Sequence, residues 1–266
     1  MDLKGKRILV TGANGGIGSA LCSALSAEGA DLVLCSFQPD KLEAQVKALA
    51  AKGAGGTIHT IQADISSIQD RARVVSECDS FGGIDVLVNL AGILDFSLFE
   101  DQAPGIIEQI ININLLAPIL LCQSFLVQLK SRPESMILNV GSIFGSIGHP
   151  GFVTYCASKA GVKTFTEALG RELADTNIRV GYIAPRATAT ALNTDRVNKM
   201  NRKLGNRMDT PAYVAERIVG QLKTGRELTY LGWPEKFFVR VNALLPSVVR
   251  NALVKNLGVI KQFARS

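Results

Sequence analysis

Short, continuous apolar runs alternate with longer segments of helical period along almost the whole chain, and this alternation restricts the fold more than any other feature. Arg7 to Thr11 is a β-branched run, followed by glycines and then a helical pattern from Ile17 to Glu28. Further strands are predicted near 31–36, 57–62, 84–88, 135–141, 178–184 and 227–231, with helices near 39–52, 67–81, 104–131, 153–174 and 211–223 between them. Strands that alternate with helices need crossover connections, and right-handed crossovers lay the strands parallel with helices on both faces. The expected fold class is therefore α/β, a doubly wound parallel sheet in three layers, its strands apolar throughout because both faces are covered.

A chain of 266 residues fits one such core followed by a tail. The predicted division is a nucleotide-binding domain over 1–231 and a basic, amphipathic helical extension over 232–266. Within the first part, 186–209 has no strong period and is long for a helix–strand connection, which predicts a mobile loop over a ligand. Thr210-Pro211 then opens the next helix with a capping hydroxyl and a proline at its first position.

Cys22, Cys35, Cys78, Cys122 and Cys156 are widely spaced in apolar surroundings without a C-x-x-C pair, so they read as reduced core residues, and no metal site is expected. The N-terminus enters a strand at once, and no later stretch reads as a membrane span, which predicts a cytoplasmic protein. Of the net charge of +6, an excess of five lies in 232–266, where Lys236, Arg240, Arg250, Lys255, Lys261 and Arg265 face Glu235 alone. The body of the chain is thus nearly neutral, and no nucleic-acid module is visible.

Thr11-Gly12-Ala13-Asn14-Gly15-Gly16-Ile17-Gly18 lies between the first strand and first helix, where backbone amides and the positive helix end can receive a pyrophosphate. A dinucleotide is the expected ligand. At the tip of the second strand, Ser36-Phe37-Gln38 carries no carboxylate to hold a free ribose 2′-hydroxyl, which tips the cofactor expectation from NAD(H) towards NADP(H). Ser36 and Lys41 are the donors at hand for a 2′-phosphate.

Tyr155 and Lys159 are four apart on one helical face, so a phenol and an ammonium meet there as an acid/base pair. Ser142 ends the fifth strand, at the carboxyl edge where open α/β sheets bind ligands. With these residues in view, the chain resembles the short-chain dehydrogenase/reductase family over residues 4–231. The resemblance implies a Rossmann-type fold, with the glycine turn at Thr11–Gly18 and an active site of Asn114, Ser142, Tyr155 and Lys159. It further implies cofactor contacts from Asp64, Ile65, Asn89, Ala91, Gly92, Pro185, Thr188 and Thr190, besides Gly12, Asn14, Gly15, Gly16, Ile17, Gly18, Ser36 and Phe37. By that resemblance Tyr155 protonates a carbonyl oxygen held by Ser142. Lys159 binds the nicotinamide ribose and depresses the tyrosine pKa, and Asn114 supports a water relay.

Two positions depart from the family pattern. Leu90 stands where a second asparagine is usual, and Arg186 replaces a glycine beside the expected nicotinamide site. Arg186 either meets an anionic substrate group or turns to solvent. Phe144 and His149, between Ser142 and Tyr155, are further candidates for substrate contact, although a loop histidine can equally be solvated.

The resulting expectation is a homo-oligomeric oxidoreductase that interconverts a carbonyl and an alcohol on a small molecule, including a hydrophobic or acyl-type one. A catalytically silent dinucleotide sensor and a membrane- or partner-docking protein are the alternatives. The extension bears on the latter: Phe237, Phe238, Val241, Leu244 and Leu245, then Val248, Val249, Ala252, Leu253 and Leu257, then Val259, Ile260 and Phe263 form apolar stripes beside cations. They suit an anionic membrane surface, the protein's own core or a neighbouring subunit.

Overall fold

The structure, a computed structural model, describes residues 1–53 and 55–265. Its strands are β1 (Arg7–Thr11), β2 (Asp31–Ser36), β3 (Ile58–Gln62), β4 (Val86–Asn89), β5 (Ser135–Val140), β6 (Ile178–Ala184) and β7 (Leu228–Tyr230). All pair in parallel, in the order β3-β2-β1-β4-β5-β6-β7. The order reverses between β1 and β4, which opens a crevice at the carboxyl ends of those two strands.

Helices cover both faces: α1 (Gly16–Ala27), α2 (Pro39–Ala51) and α8 (Pro211–Thr224) on one, and α3 (Ile68–Ser80), α5 (Ala117–Lys130) and α6 (Val153–Glu172) on the other. Successive strand residues serve opposite cores. Val10, Leu34, Val88 and Leu138 pack with Leu21 of α1 and Ile218 of α8, whereas Leu9, Val33, Leu87 and Ile137 pack with Phe125 of α5. This is the pleat of a sheet buried on both sides, and it explains why the strands read as unbroken apolar runs. All five cysteines are buried and free, as small core residues.

The structure departs from the sequence reading in three places. The predicted helix over 104–131 is α4 (Pro104–Ile111) and α5 joined by a π-helical segment at Asn112–Leu116. The whole run Pro104–Lys130 is also long and apolar enough to cross a membrane, with a window hydropathy of 2.0, contrary to the expectation that no such stretch exists. Its buried side chains instead pack against α3, α6 and β5. Third, 186–209 is not an irregular loop: it holds α7 (Asp195–Lys203), capped where Thr194 accepts from Val197 N.

The extension after β7 forms α9 (Glu235–Leu244), α10 (Pro246–Lys255) and α11 (Leu257–Ala264). Each buries little of itself. Val239 and Val249 pack with Ile143, Ile147 and Tyr182, and Ile260 and Ala264 pack with Phe152, Val197 and Met200. Much of the predicted α9 stripe stays outside, with Leu244 80% and Leu245 58% exposed.

Candidate active site

The first-turn amides of α1 have no intrahelical partners, and its N-cap, Gly15, supplies no side-chain cap. The turn before it is compact. Gly12 sits at φ +68, where a β-carbon would press on Ala91 at 2.9 Å, and one on Gly18 would meet the Gly12 carbonyl at 2.2 Å. Thr11 ties the turn to the end of β4, because its Oγ1 accepts from the backbone N–H groups of Leu90 and Ala91 at 3.1 and 3.2 Å. The backbone around the helix end is thus open to an anion and closed to side chains, which fits a dinucleotide pyrophosphate.

At the tip of β2, Ser36 is buried and donates to Asn14 Oδ1 at 2.8 Å, while Phe37 is 65% exposed. Asp64, exposed at the end of β3, accepts from both the backbone and the hydroxyl of Ser66. Ile65 is a core residue beside it. The Asn89 side chain turns inward and donates to Asn139 Oδ1 at 2.8 Å, a buried bridge from β4 to β5. Leu90, at the departure from the family pattern, packs against the core of the α1 face.

Ser142, Tyr155 and Lys159 converge at the carboxyl end of β5. The Ser142 hydroxyl accepts from Phe144 N at 3.1 Å, and its side chain lies beside the Tyr155 phenol. Burial pushes that phenol up to about 12, with the Ser142 hydroxyl opposing the shift. The Lys159 ammonium donates to the Val140 carbonyl at 3.2 Å and lies 5.8 Å from the centre of the Tyr155 ring. Its own burial lowers it to about 8. Burial thus moves the two groups in opposite directions, the phenol up and the ammonium down.

Asn114 lies in the π segment, where the extra residue in the turn redirects its side chain into the protein. Its amide closes a two-way bridge with Ile93, accepting from the N–H at 2.8 Å and donating to the carbonyl at 2.9 Å. A third bond runs to Ser158 Oγ. Gly92 fits between Asn114 and Lys159, so close that a β-carbon there would lie 3.2 Å from Asn114 Oδ1 and 3.4 Å from Lys159 Nζ. Thr190 closes over Gly16 in the same way, and Pro185 and Thr188 line the opening beside Lys159.

This group opens into a cleft of about 700 Å³. One wall is aromatic. His149 stacks on Phe144 with centroids 4.8 Å apart and meets Phe152 edge-on, and burial lowers its pKa. It is a neutral wall residue and not a solvated loop histidine. Sequence reasoning missed Leu94, Val197 and Met200, and above all the extension, whose Phe238, Val249 and Leu253 line the cleft. It also missed Tyr182, whose hydroxyl accepts from Ser142 N at 3.3 Å and donates to its carbonyl at 3.2 Å, fixing the backbone of the candidate catalytic serine. A tyrosine within the apolar run Val180–Ala184 was the available signal, since a buried phenol needs a partner.

Arg186 neither turns to solvent nor points free into the cleft. It is paired with Asp209 at 2.7 Å and Glu235 at 3.1 Å, which binds β6's following loop to the start of α9.

A doubly wound parallel sheet with a glycine turn at its crossover and a serine–tyrosine–lysine cluster beside it defines the architecture of a dinucleotide-binding oxidoreductase. Residues 6–201 match the family model described as short chain dehydrogenase, and the chain belongs to that family. It is 35% identical over 226 residues to Nodulation protein G of Rhizobium meliloti strain 1021, covering 82% of this chain and 89% of that one. It is 32% identical over 224 residues to the 3-oxoacyl-acyl-carrier-protein reductase FabG of Vibrio harveyi, covering 82% and 90%. A crystal structure of a short-chain dehydrogenase/reductase from Burkholderia phymatum in complex with NAD superposes with a TM-score of 0.82 at 19% identity, over 93% of this chain and 96% of that one.

Proposed function

We propose that the protein reduces the carbonyl of an elongated, hydrophobic acyl-type substrate at the expense of NADP(H), with NAD(H) the weaker cofactor. The observation that carries this reading is the convergence of Ser142, Tyr155 and a buried Lys159 on one largely apolar cleft. The bound nicotinamide supplies the hydride. Gly12, Gly15, Gly16, Ile17 and Gly18 would hold its pyrophosphate, and Lys159, Gly92, Pro185, Thr188 and Thr190 would surround the nicotinamide end. Tyr155, protonated across the neutral range, gives its proton to the carbonyl oxygen that Ser142 orients. Asn114, in its π turn, holds the Ile93 backbone and Ser158 behind the lysine.

The substrate class rests on the cleft. Phe144, Phe152, Leu94 and Met200 offer an apolar channel with few polar groups, which suits an alkyl chain better than a polar metabolite. Reduction of the relative's 3-oxoacyl substrate class has the same requirement. The lean to NADP(H) rests on the absence of a carboxylate at the tip of β2. A homo-oligomer through α4, α5 and α6 accords with the outward apolar residues Leu116, Val127 and Val153.

Initial rates of NADPH and NADH oxidation, measured over a range of concentrations of 3-oxoacyl thioesters of four to twelve acyl carbons, provide the test. kcat/KM is expected to rise with chain length and NADPH to be preferred. Turnover that peaks on short, polar ketones, or tighter binding of NADH than NADPH, contradicts the proposal.

A further inference from the structure

The outer face of the extension carries a mixed apolar and cationic surface that the reaction does not use. Trp233, Phe237, Phe238, Leu244, Leu245 and Val248 are between 41% and 80% exposed. On α9, Phe237 and Leu244 lie on one strip, and Lys236 and Arg240, a turn apart, run along its edge. Lys236 sits over the Trp233 ring at 5.4 Å, and Arg250 and Lys255 are exposed on α10. Among the described residues none of these four cations has a carboxylate within ion-pair distance. The apolar surface also continues inward, because the exposed Leu192, Trp233, Phe238 and Val248 form part of the lining of the catalytic cleft.

We infer that this face docks on an anionic lipid membrane, with α9 and α10 lying in the interface and the mouth of the cleft opening onto the bilayer. The inference goes beyond the proposed reaction, since docking requires only the surface. An interfacial helix gains from apolar burial and from attraction of lysine and arginine to acidic headgroups, and the long cationic stems let both operate together. The arrangement disfavours a second copy of the chain as the occupant. A two-fold contact is self-complementary, so it would set these cations against their own counterparts. The single acid of 232–266, Glu235, is already paired with Arg186. For a lipophilic substrate, the geometry provides passage from bilayer to Tyr155 without crossing water.

Co-sedimentation with vesicles reads the docking directly, without reference to activity. The probes are vesicles of phosphatidylcholine containing 30% phosphatidylglycerol and vesicles of phosphatidylcholine alone. The full-length protein is expected to pellet with the anionic vesicles, at least tenfold less with the neutral ones, and to be released by 0.5 M salt. Arg240→Glu/Lys255→Glu and Leu244→Asp are each expected to lower the bound fraction at least tenfold while leaving turnover of a short, soluble ketone unchanged. Sedimentation velocity accompanies the comparison. Recovery of the wild type in the supernatant, equal binding to both vesicle types, or full binding by the variants overturns the proposal. So does a loss of oligomeric state in Leu244→Asp, which would assign the face to a contact between copies. Failure of the ketone reduction with vesicle binding intact would count against the proposed reaction alone.

Discussion

Lys159 is the residue at which stability and function oppose one another. Among the described residues its ammonium has a carbonyl and an aromatic ring for company but no carboxylate partner, so burial lowers it from 10.5 to about 8. The folded state thus binds the proton less tightly than the unfolded chain. Below pH 8 the lysine destabilises the fold by the full difference, on the order of 3 kcal/mol, and this cost fades as pH rises from about 8 to 10.5. Lys159→Met is therefore expected to raise the urea midpoint at pH 7 and to abolish turnover, with the stability gain shrinking by pH 10. A variant less stable than wild type at pH 7 would show that the lysine's contacts outweigh its desolvation. As candidates, the serine, tyrosine and lysine were legible from a strand end and a helical spacing, and Asn114 only from the resemblance to the family. The pKa directions were not, since they depend on burial that only the packed cleft reveals.

At the scale of elements, the sequence placed the seven strands to within about two residues, because apolar runs bounded by turns carry that information locally. It missed α7, whose sequence Asp195–Lys203 offers just two apolar side chains, Val197 and Met200, among polar ones. That helix owes its place to α11. Ile260 is fully buried against Val197 and Met200, and Arg196 donates to the Ala264 carbonyl at 3.2 Å and to the Phe96 carbonyl at 3.1 Å. Ile260→Ala is expected to cost about 2–4 kcal/mol by urea unfolding, as buried isoleucine truncations do, and to speed hydrogen exchange in α7. Unchanged exchange across Asp195–Lys203 would mean that α7 is held by the sheet domain without α11. The π turn at Asn112–Leu116 escaped prediction for a related reason. Its sequence keeps helical period, and only the bridge from Asn114 to Ile93, distant in the chain, selects the wider turn.

On the scale of the whole molecule, the extension changes the character of the site. A dinucleotide-binding sheet leaves its substrate side to whatever loops follow β6, and here the chain spends its last helices on that side. Arg186 joins this arrangement through Asp209 and Glu235, so the loop after β6 and the helix that roofs the cleft are held together. The sequence showed that stripes of apolar residues existed in the tail. It did not show which of them faced inward, because Val239, Val249 and Ile260 are told from their neighbours only by what they pack against.

All of this serves one chemical claim, that Tyr155 transfers the proton. Its phenol lies beside Ser142 and is kept protonated by burial, so removing the hydroxyl alone should leave the cradle for the cofactor intact. The direct measurement is single-turnover reduction by Tyr155→Phe, with NADPH binding titrated by fluorescence on the same preparation. NADPH affinity is expected to stay within about threefold of wild type and the rate of carbonyl reduction to fall at least about a hundredfold, the scale of general acid catalysis. A reduction rate within a few-fold of wild type, in a variant that binds NADPH normally, would contradict proton transfer by Tyr155.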